Sequence, residues 1–175
     1  MIFIAADHAG YELKNKLIEH LESKGYQIED CGAYQFDPND DYPDFVGKAA
    51  QAVSKNPNED RGIVIGGSGQ AEAITANKFK NIRAALFYGK TDFVKVADIN
   101  GRESADPYEI VRLSREHNDT NVLSLAARFL SEDEAKEAVD LWLSTKFDRA
   151  SRHQRRHDKI AKIERKVQLS QNEVS

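Results

Sequence analysis

The sequence predicts an α/β domain, a five-stranded parallel sheet covered on both faces by helices and followed by a long, charged C-terminal helix. Three observations carry this. Short apolar runs recur along the chain, segments with helical spacing of apolar residues stand between them, and glycine, proline or aspartate marks the changeovers. Strands that alternate with helices cannot pair as hairpins, so they form a parallel sheet buried on both sides.

The first strand is the apolar run Ile2-Phe3-Ile4-Ala5-Ala6, broken by Asp7-His8-Ala9-Gly10. Leu13, Leu17 and Leu21 then fall at helical spacing, predicting a helix over residues 11–24 that stops at Gly25. His20 lies within it and is expected on its exposed side. Residues 26–30 form the second strand, and the proline-containing stretch 37–44 is a loop. A helix is expected over 45–54, a third strand over 62–65, a fourth over 82–88 and a fifth over 121–126. Ser131 is a candidate N-cap for a helix over 132–143, and the final helix is expected from about 149 to 167.

The third strand runs into Gly66-Gly67-Ser68-Gly69-Gln70-Ala71-Glu72, just ahead of the helical stretch 73–78. A buried strand, a glycine-rich turn and a helix start form a cradle for negative charge through backbone N–H groups and the helix dipole. A dinucleotide site places glycine or alanine at the seventh position, so that the pyrophosphate can approach. Here that position is Glu72, which would repel a pyrophosphate but can take a proton from a sugar carbon. The loop therefore reads as a catalytic cradle. Ligands of open parallel sheets sit at the carboxyl ends of the strands, which sets Asp7 and His8 beside residues 66–72.

Composition limits the alternatives. The chain has 175 residues, enough for one well-filled domain, with a formal net charge of −4 from 25 basic and 29 acidic residues. That balance argues against a nucleic-acid binder, although Arg149, Arg152, Arg155, Arg156, Lys159, Lys162, Arg165 and Lys166 crowd the C-terminal segment. No apolar run approaches the length of a membrane span, and the N-terminus opens as a strand rather than a signal peptide. A single cysteine, Cys31, forbids an internal disulfide and fits a reducing cytoplasm; it reads as a packing residue. No cofactor or metal ligand set is expected.

Five motifs occur in one order: Asp7-His8-Ala9-Gly10, Gly67-Ser68-Gly69 with Glu72, Ala76-Asn77-Lys78, Arg115-Glu116-His117-Asn118-Asp119, and Arg152-His153-Gln154-Arg155-Arg156. Together they resemble the type B ribose-5-phosphate isomerase family, which also holds isomerases of allose and galactose phosphates. The resemblance implies a Rossmann-like fold, no metal, and homodimers or dimers of dimers whose active sites are shared between subunits. It divides the chain into an isomerase domain over 1–150, a C-terminal helix over 151–167 reaching a partner subunit, and a frayed tail over 168–175. Many members carry a cysteine base just ahead of the glycine loop, where this chain has Gly66. Others carry a glutamate at the position of Glu72, and this chain resembles that type. Ala71 replaces a usual glycine, which would matter if the position needed positive φ.

The chemistry fits those residue types. Aldose–ketose isomerisation moves a proton between C2 and C1 through an enediol, which needs a base of raised pKa. Glu72 is that base, and the turn N–H groups and Ser68 are candidates for the enediolate oxygen, although Ser68 also suits a helix cap. His117 is the candidate for ring opening or, failing that, a surface histidine. Asp7 joins the catalytic set or is a strand-end turn residue. The resemblance assigns substrate binding to His8, Gly67, Gly69, Gln70, Ala71, Asn118, Arg128, Arg152 and Arg156. The two C-terminal arginines, at i, i+4, would grip phosphate or form a solvated dimer contact. Residues 89–107 look like an added stretch: a lid, an extra helix, a subunit contact or a neutral surface insertion. The reading is ribose 5-phosphate isomerisation. The alternatives are a six-carbon sugar-phosphate isomerase and a non-catalytic phosphosugar-binding protein.

Overall fold

The computed structural model describes residues 1–91, 97 and 100–172, with side chains through residue 169. Among these, five strands and six helices follow in the order β1 (Ile2–Ala6), α1 (Tyr11–Ser23), β2 (Ile28–Asp30), α2 (Pro43–Lys55), β3 (Arg61–Gly66), α3 (Gln70–Ala76), β4 (Ala84–Phe87), α4 (Glu109–Glu116), β5 (Val122–Ala126), α5 (Glu132–Ser144) and α6 (Ser151–Asn172). All strands are parallel, in the order β2-β1-β3-β5-β4.

Residue alternation along each strand builds two cores. Ile2, Ile4, Ile63, Ile65, Leu123 and Leu125 meet Leu13, Leu17 and Leu21 of α1, Val111 of α4, and Ala138, Val139 and Trp142 of α5. The intervening Phe3, Ala5, Val64 and Val122 meet Val46, Ala49, Ala50 and Val53 of α2 and Ala76 of α3. Helices thus cover both faces, and the central strands β1, β3 and β5 are buried throughout except at Arg61, which opens β3. The chain leaves β1 toward β2 and returns to β3 on the other side of β1. The carboxyl ends of β1 and β3 therefore flank the topological switch point, where such sheets bind ligands.

Local chemistry fixes several ends. Gly25 takes a left-handed φ of +82° just after Lys24, the C-cap of α1. Ser131 caps α5 through a capping box, its Oγ accepting from the Glu134 N–H while the Glu134 carboxylate accepts from the Ser131 N–H. Other expectations need correction. β2 is limited to Ile28–Asp30, because Tyr26 still turns with its N–H on the Leu21 carbonyl. His20 is not exposed; it is largely covered and binds both carboxylate oxygens of Asp140 at 3.0 Å, joining α1 to α5.

α4 was not expected as a separate helix. Its buried positions include Glu109, Ser114 and Arg115, which hide the apolar period, and each is paired. Glu109 takes Arg102 and Ser104 at 2.8 Å each, and Arg115 donates to Asp119 at 2.8 Å. α6 runs on to Asn172, past the expected end at 167, so the first residues of the expected tail are helical. Residues 173–175 lie outside the described residues, as do 92–96 and 98–99 of the stretch expected to be added. Its described flanks close back on the fold: Thr91 donates to the Pro107 carbonyl at 3.0 Å, and Arg102 reaches Glu109.

Candidate active site

The glycine loop leaves β3 and is held against β5. The Ala127 and Arg128 N–H groups donate to the Gly66 and Gly67 carbonyls at 2.8 and 3.1 Å, and the buried Ser124 hydroxyl donates to the Gly69 carbonyl at 2.6 Å. Gly69 has φ +70°, and a Cβ there would stand 2.6 Å from Leu86 and 3.0 Å from the Leu125 backbone. Only glycine meets both demands. The Ser68 hydroxyl is half-buried and accepts from Gln70 N–H at a long 3.4 Å, so it is only weakly engaged. α3 spans seven residues, and the polar character of the cradle comes more from the turn than from a long helix dipole. Ala71 lies within this helix and is not among the positive-φ residues, so no glycine is required there.

Glu72 projects from the first turn of α3 and is only 4% exposed. One carboxylate oxygen, Oε2, is buried and accepts no hydrogen bond. Burial pushes its carboxyl above the ordinary glutamate range, and the charge of Asp7 pushes the same way, against a hydrogen bond from its own backbone N–H. A buried, under-bonded carboxylate with raised pKa is suited to proton abstraction.

Asp7 closes β1. Its Oδ1 accepts from Ala9 and Gly10 N–H at 3.0 and 3.3 Å, making the turn into α1. It therefore serves the turn and bears electrostatically on Glu72. His8 is half-buried beside it and binds Asp40, with Nδ1 2.7 Å and backbone N–H 2.9 Å from the same oxygen. Arg128 lies exposed over the loop, and a Cβ on Gly67 would touch its guanidinium at 3.2 Å. The carboxyl ends of β1, β3 and β5 thus bring together Asp7, His8, Gly67, Ser68, Gly69, Gln70, Ala71, Glu72 and Arg128.

The remaining expected residues lie elsewhere. His117 caps the C-terminus of α4, and Asn118 follows it, ahead of β5. Arg152 and Arg156 lie in the first turns of α6, which docks on the same end of the sheet: the Asp148 N–H donates to the Glu116 carbonyl at 2.8 Å, and His153 stacks on His117 at 4.3 Å and 17°. The cradle follows β3, whose Gly66 pairs with Ala126 at the other end of the five-residue β5, roughly 15 Å away at ~3.3 Å per residue. Within one chain the two groups do not meet.

Two residues of these clusters were not singled out from sequence. His153 is 3% exposed and accepts from Arg152 Nε at 3.0 Å; burial, then the neighbouring His117 and Arg152, lower its pKa. It stands four residues before His157, a spacing that can bind zinc, yet His157 packs near Phe147 and Asp119 instead. Asp40 was one aspartate of a turn-rich loop, and nothing in the sequence says that it faces inward. Asp7, His8 and Asp40 bring ligand-type atoms within 4.8 Å of one another, but the short His8–Asp40 contact is that of a hydrogen-bonded pair rather than a metal centre. Cys31 is 5% exposed, and burial pushes its thiol up to about 11, which disfavours a thiolate nucleophile. No helix of the described residues is long and apolar enough to cross a membrane.

Residues 2–160 match the protein family described as Ribose/Galactose Isomerase. The chain is 40% identical to ribose-5-phosphate isomerase B of Mycobacterium leprae over 94% of its length and 90% of the relative's. It is 34% identical to the Escherichia coli ribose-5-phosphate isomerase B, over 94% and 97%. Its fold matches the crystal structure of ribose-5-phosphate isomerase B from Mycoplasma genitalium with bound ribulose-5-phosphate, at a TM-score of 0.81 and 39% identity, covering 94% of this chain and 95% of that one.

Proposed function

The chain belongs to the ribose/galactose isomerase family, and we propose that it interconverts ribose 5-phosphate and ribulose 5-phosphate through an enediol, with Glu72 as the base. The observation that carries the mechanism is the Glu72 carboxylate, buried with a free oxygen in the loop cleft. In this reading Glu72 carries the proton between C2 and C1, while the turn N–H groups and Ser68 receive the enediolate oxygen. His8 and Arg128 meet the phosphate from the same chain. His117 opens the sugar ring, Asn118 binds the sugar, and Arg152 and Arg156 complete the phosphate grip. These last four come from a second subunit, because in their own chain they lie beyond β5 from the cradle. The working form is thus a homodimer or dimer of dimers with shared sites. A lone thiol, Cys31, buried and unpaired, suits a cytoplasmic enzyme.

Relatives and structural neighbours named for the five-carbon substrate favour it over six-carbon sugar phosphates and over a non-catalytic sensor. The test is an isomerisation assay over five- and six-carbon aldose phosphates with EDTA present. Ribose 5-phosphate should show the highest kcat/KM. A higher value for a six-carbon phosphate, or no turnover of any, would overturn the assignment.

A further inference from the structure

Asp40 belongs to no motif of the cradle, yet it is the direct partner of His8. Residues 34–39 are exposed, as is Asp41, but the Asp40 side chain is only 8% exposed. A turn closes just before it, with its N–H on the Asp37 carbonyl at 3.1 Å. Its Oδ1 lies 2.9 Å from the His8 N–H and 2.7 Å from His8 Nδ1, across 32 residues of chain. Its Oδ2 is buried and accepts nothing. All of the contact this carboxylate makes among the described hydrogen bonds is therefore with His8.

We infer that Asp40 is a positioning residue for phosphate recognition: it clamps the His8 ring and backbone and holds His8 as an imidazolium whose Nε2–H is free for an oxyanion. A carboxylate only accepts, so the proton between the two residues belongs on Nδ1. In a neutral ring with that tautomer Nε2 would be an acceptor and would repel a phosphate oxygen. Protonation turns it into a donor, and the adjacent carboxylate makes protonation easier. The charged groups facing His8 are Asp40, Asp7 and Arg128. Its pKa is raised, first by the Asp40 hydrogen bond and then by the Asp7 and Asp40 charges, against burial and the Arg128 guanidinium. Asp40 thereby lets two cations, His8 and Arg128, share the mouth of the cleft before an anion arrives. That the anion is the substrate phosphate rests on the function proposed above.

The test uses the full-length enzyme and inorganic phosphate as the probe. Competitive inhibition and calorimetry give its affinity against pH for wild type, Asp40→Asn, His8→Gln and the double variant. Asp40→Asn should weaken phosphate binding and raise KM for ribose 5-phosphate by about ten-fold near pH 7, at the low end of what charge-assisted bonds contribute. It should change kcat by less than KM. The loss of affinity with rising pH should begin at lower pH in Asp40→Asn than in wild type. In the His8→Gln background the Asp40 change should add little, since the two act as a unit. An undiminished affinity in Asp40→Asn, or an equal loss with and without His8, would overturn the inference. If Asp40→Asn does not fold, nitrogen NMR of wild-type His8 decides: a proton on Nδ1 and titration above 6.5 support it, and the opposite tautomer or lower titration rejects it. Phosphate binding and the His8 titration need no turnover. Failure of the isomerase assignment therefore leaves them intact, whereas failure of the Asp40 inference leaves turnover intact.

Discussion

The Glu72 carboxylate occupies the space that any side chain on Gly66 would need: a Cβ at Gly66 would stand 1.8 Å from Glu72 Oε1 and 2.1 Å from its Cδ. The last residue of β3 is thus bare, and the Glu72 carboxylate folds back over it. The resemblance stated from sequence gains a physical reason here. A side chain at position 66 and the Glu72 carboxylate compete for one volume, and glycine at 66 leaves that volume to the glutamate proposed as base.

Gly66→Ala should therefore disable the enzyme without unfolding it. The atoms in the way are the far end of a flexible side chain, so Glu72 swings aside while β3 stays paired with β1 and β5. Loss of a positioned base is expected to lower kcat by about 10²-fold or more. Wild-type kcat in a folded Gly66→Ala protein would show that the observed Glu72 conformation is not the catalytic one.

Glu72→Gln should remove turnover, by about 10²–10⁴ in kcat, and should not lower Tm at pH 7.5. The sign follows from burial. The folded-state carboxyl titrates above its unfolded value, so the folded protein holds the proton more tightly. The stability this gives is complete below the ordinary glutamate pKa and disappears as pH rises through the raised value. Above the raised value wild type carries a buried charge that glutamine lacks. In wild type the acid limb of kcat/KM should accordingly lie above the ordinary glutamate range. A Glu72→Gln variant with more than a third of wild-type kcat, measured by coupled assay, would remove Glu72 from the mechanism.

Much of this was legible in the sequence, and what was hidden has identifiable causes. Apolar runs such as Ile63-Val64-Ile65 gave the strands, because central parallel strands bury both faces. The glycines and Glu72 gave the cradle, because few residues other than glycine tolerate the φ of Gly69 or the crowding at Gly66. Sheet order was not readable: β5 enters between β3 and β4, a choice made by packing. α4 was obscured because its inward side carries Glu109, Ser114 and Arg115, polar residues whose burial depends on partners in the flanking loops rather than on an apolar period. The His8–Asp40 pair was invisible because 32 residues separate its members and only the fold brings them together.

Cys31→Ser should be nearly silent in the assay. The thiol lies in the core below the site, and with its pKa pushed up to about 11 almost none of it is ionised at neutral pH. A large loss of kcat at unchanged Tm would revive a thiolate mechanism.

The His117–His153 stack should make the docking of α6 acid-sensitive. The folded-state pKa of His153 is lowered, so the stability held in its neutral ring is present above the unfolded value of 6.5 and is lost as pH falls through the folded value. Tm should drop between pH 7.5 and 5.5, and the drop should be smaller in His153→Gln, which has no proton to gain. Equal drops in the two proteins by calorimetry would assign the acid sensitivity elsewhere.

The separation of the two residue groups leads to the most demanding prediction. Glu72 lies past the carboxyl end of the sheet, while His117, Arg152 and Arg156 lie by its amino end. If each working site takes one group from each of two chains, then two inactive variants should rescue one another. In a mixed dimer of Glu72→Gln with Arg152→Ala/Arg156→Ala, one site pairs an intact Glu72 with intact arginines, and the other carries both lesions. Alone, the arginine variant should raise KM strongly, since each charge-assisted bond to phosphate contributes about 1.5–3 kcal/mol. Random reassociation of equal amounts makes half of the dimers mixed, each with one working site, so about a quarter of wild-type activity per chain should return. Activity that stays absent while mixed dimers are seen by native mass spectrometry would break the shared-site arrangement. The arginines of α6 would then be a solvated or packing face, and phosphate binding would fall to His8 and Arg128 alone.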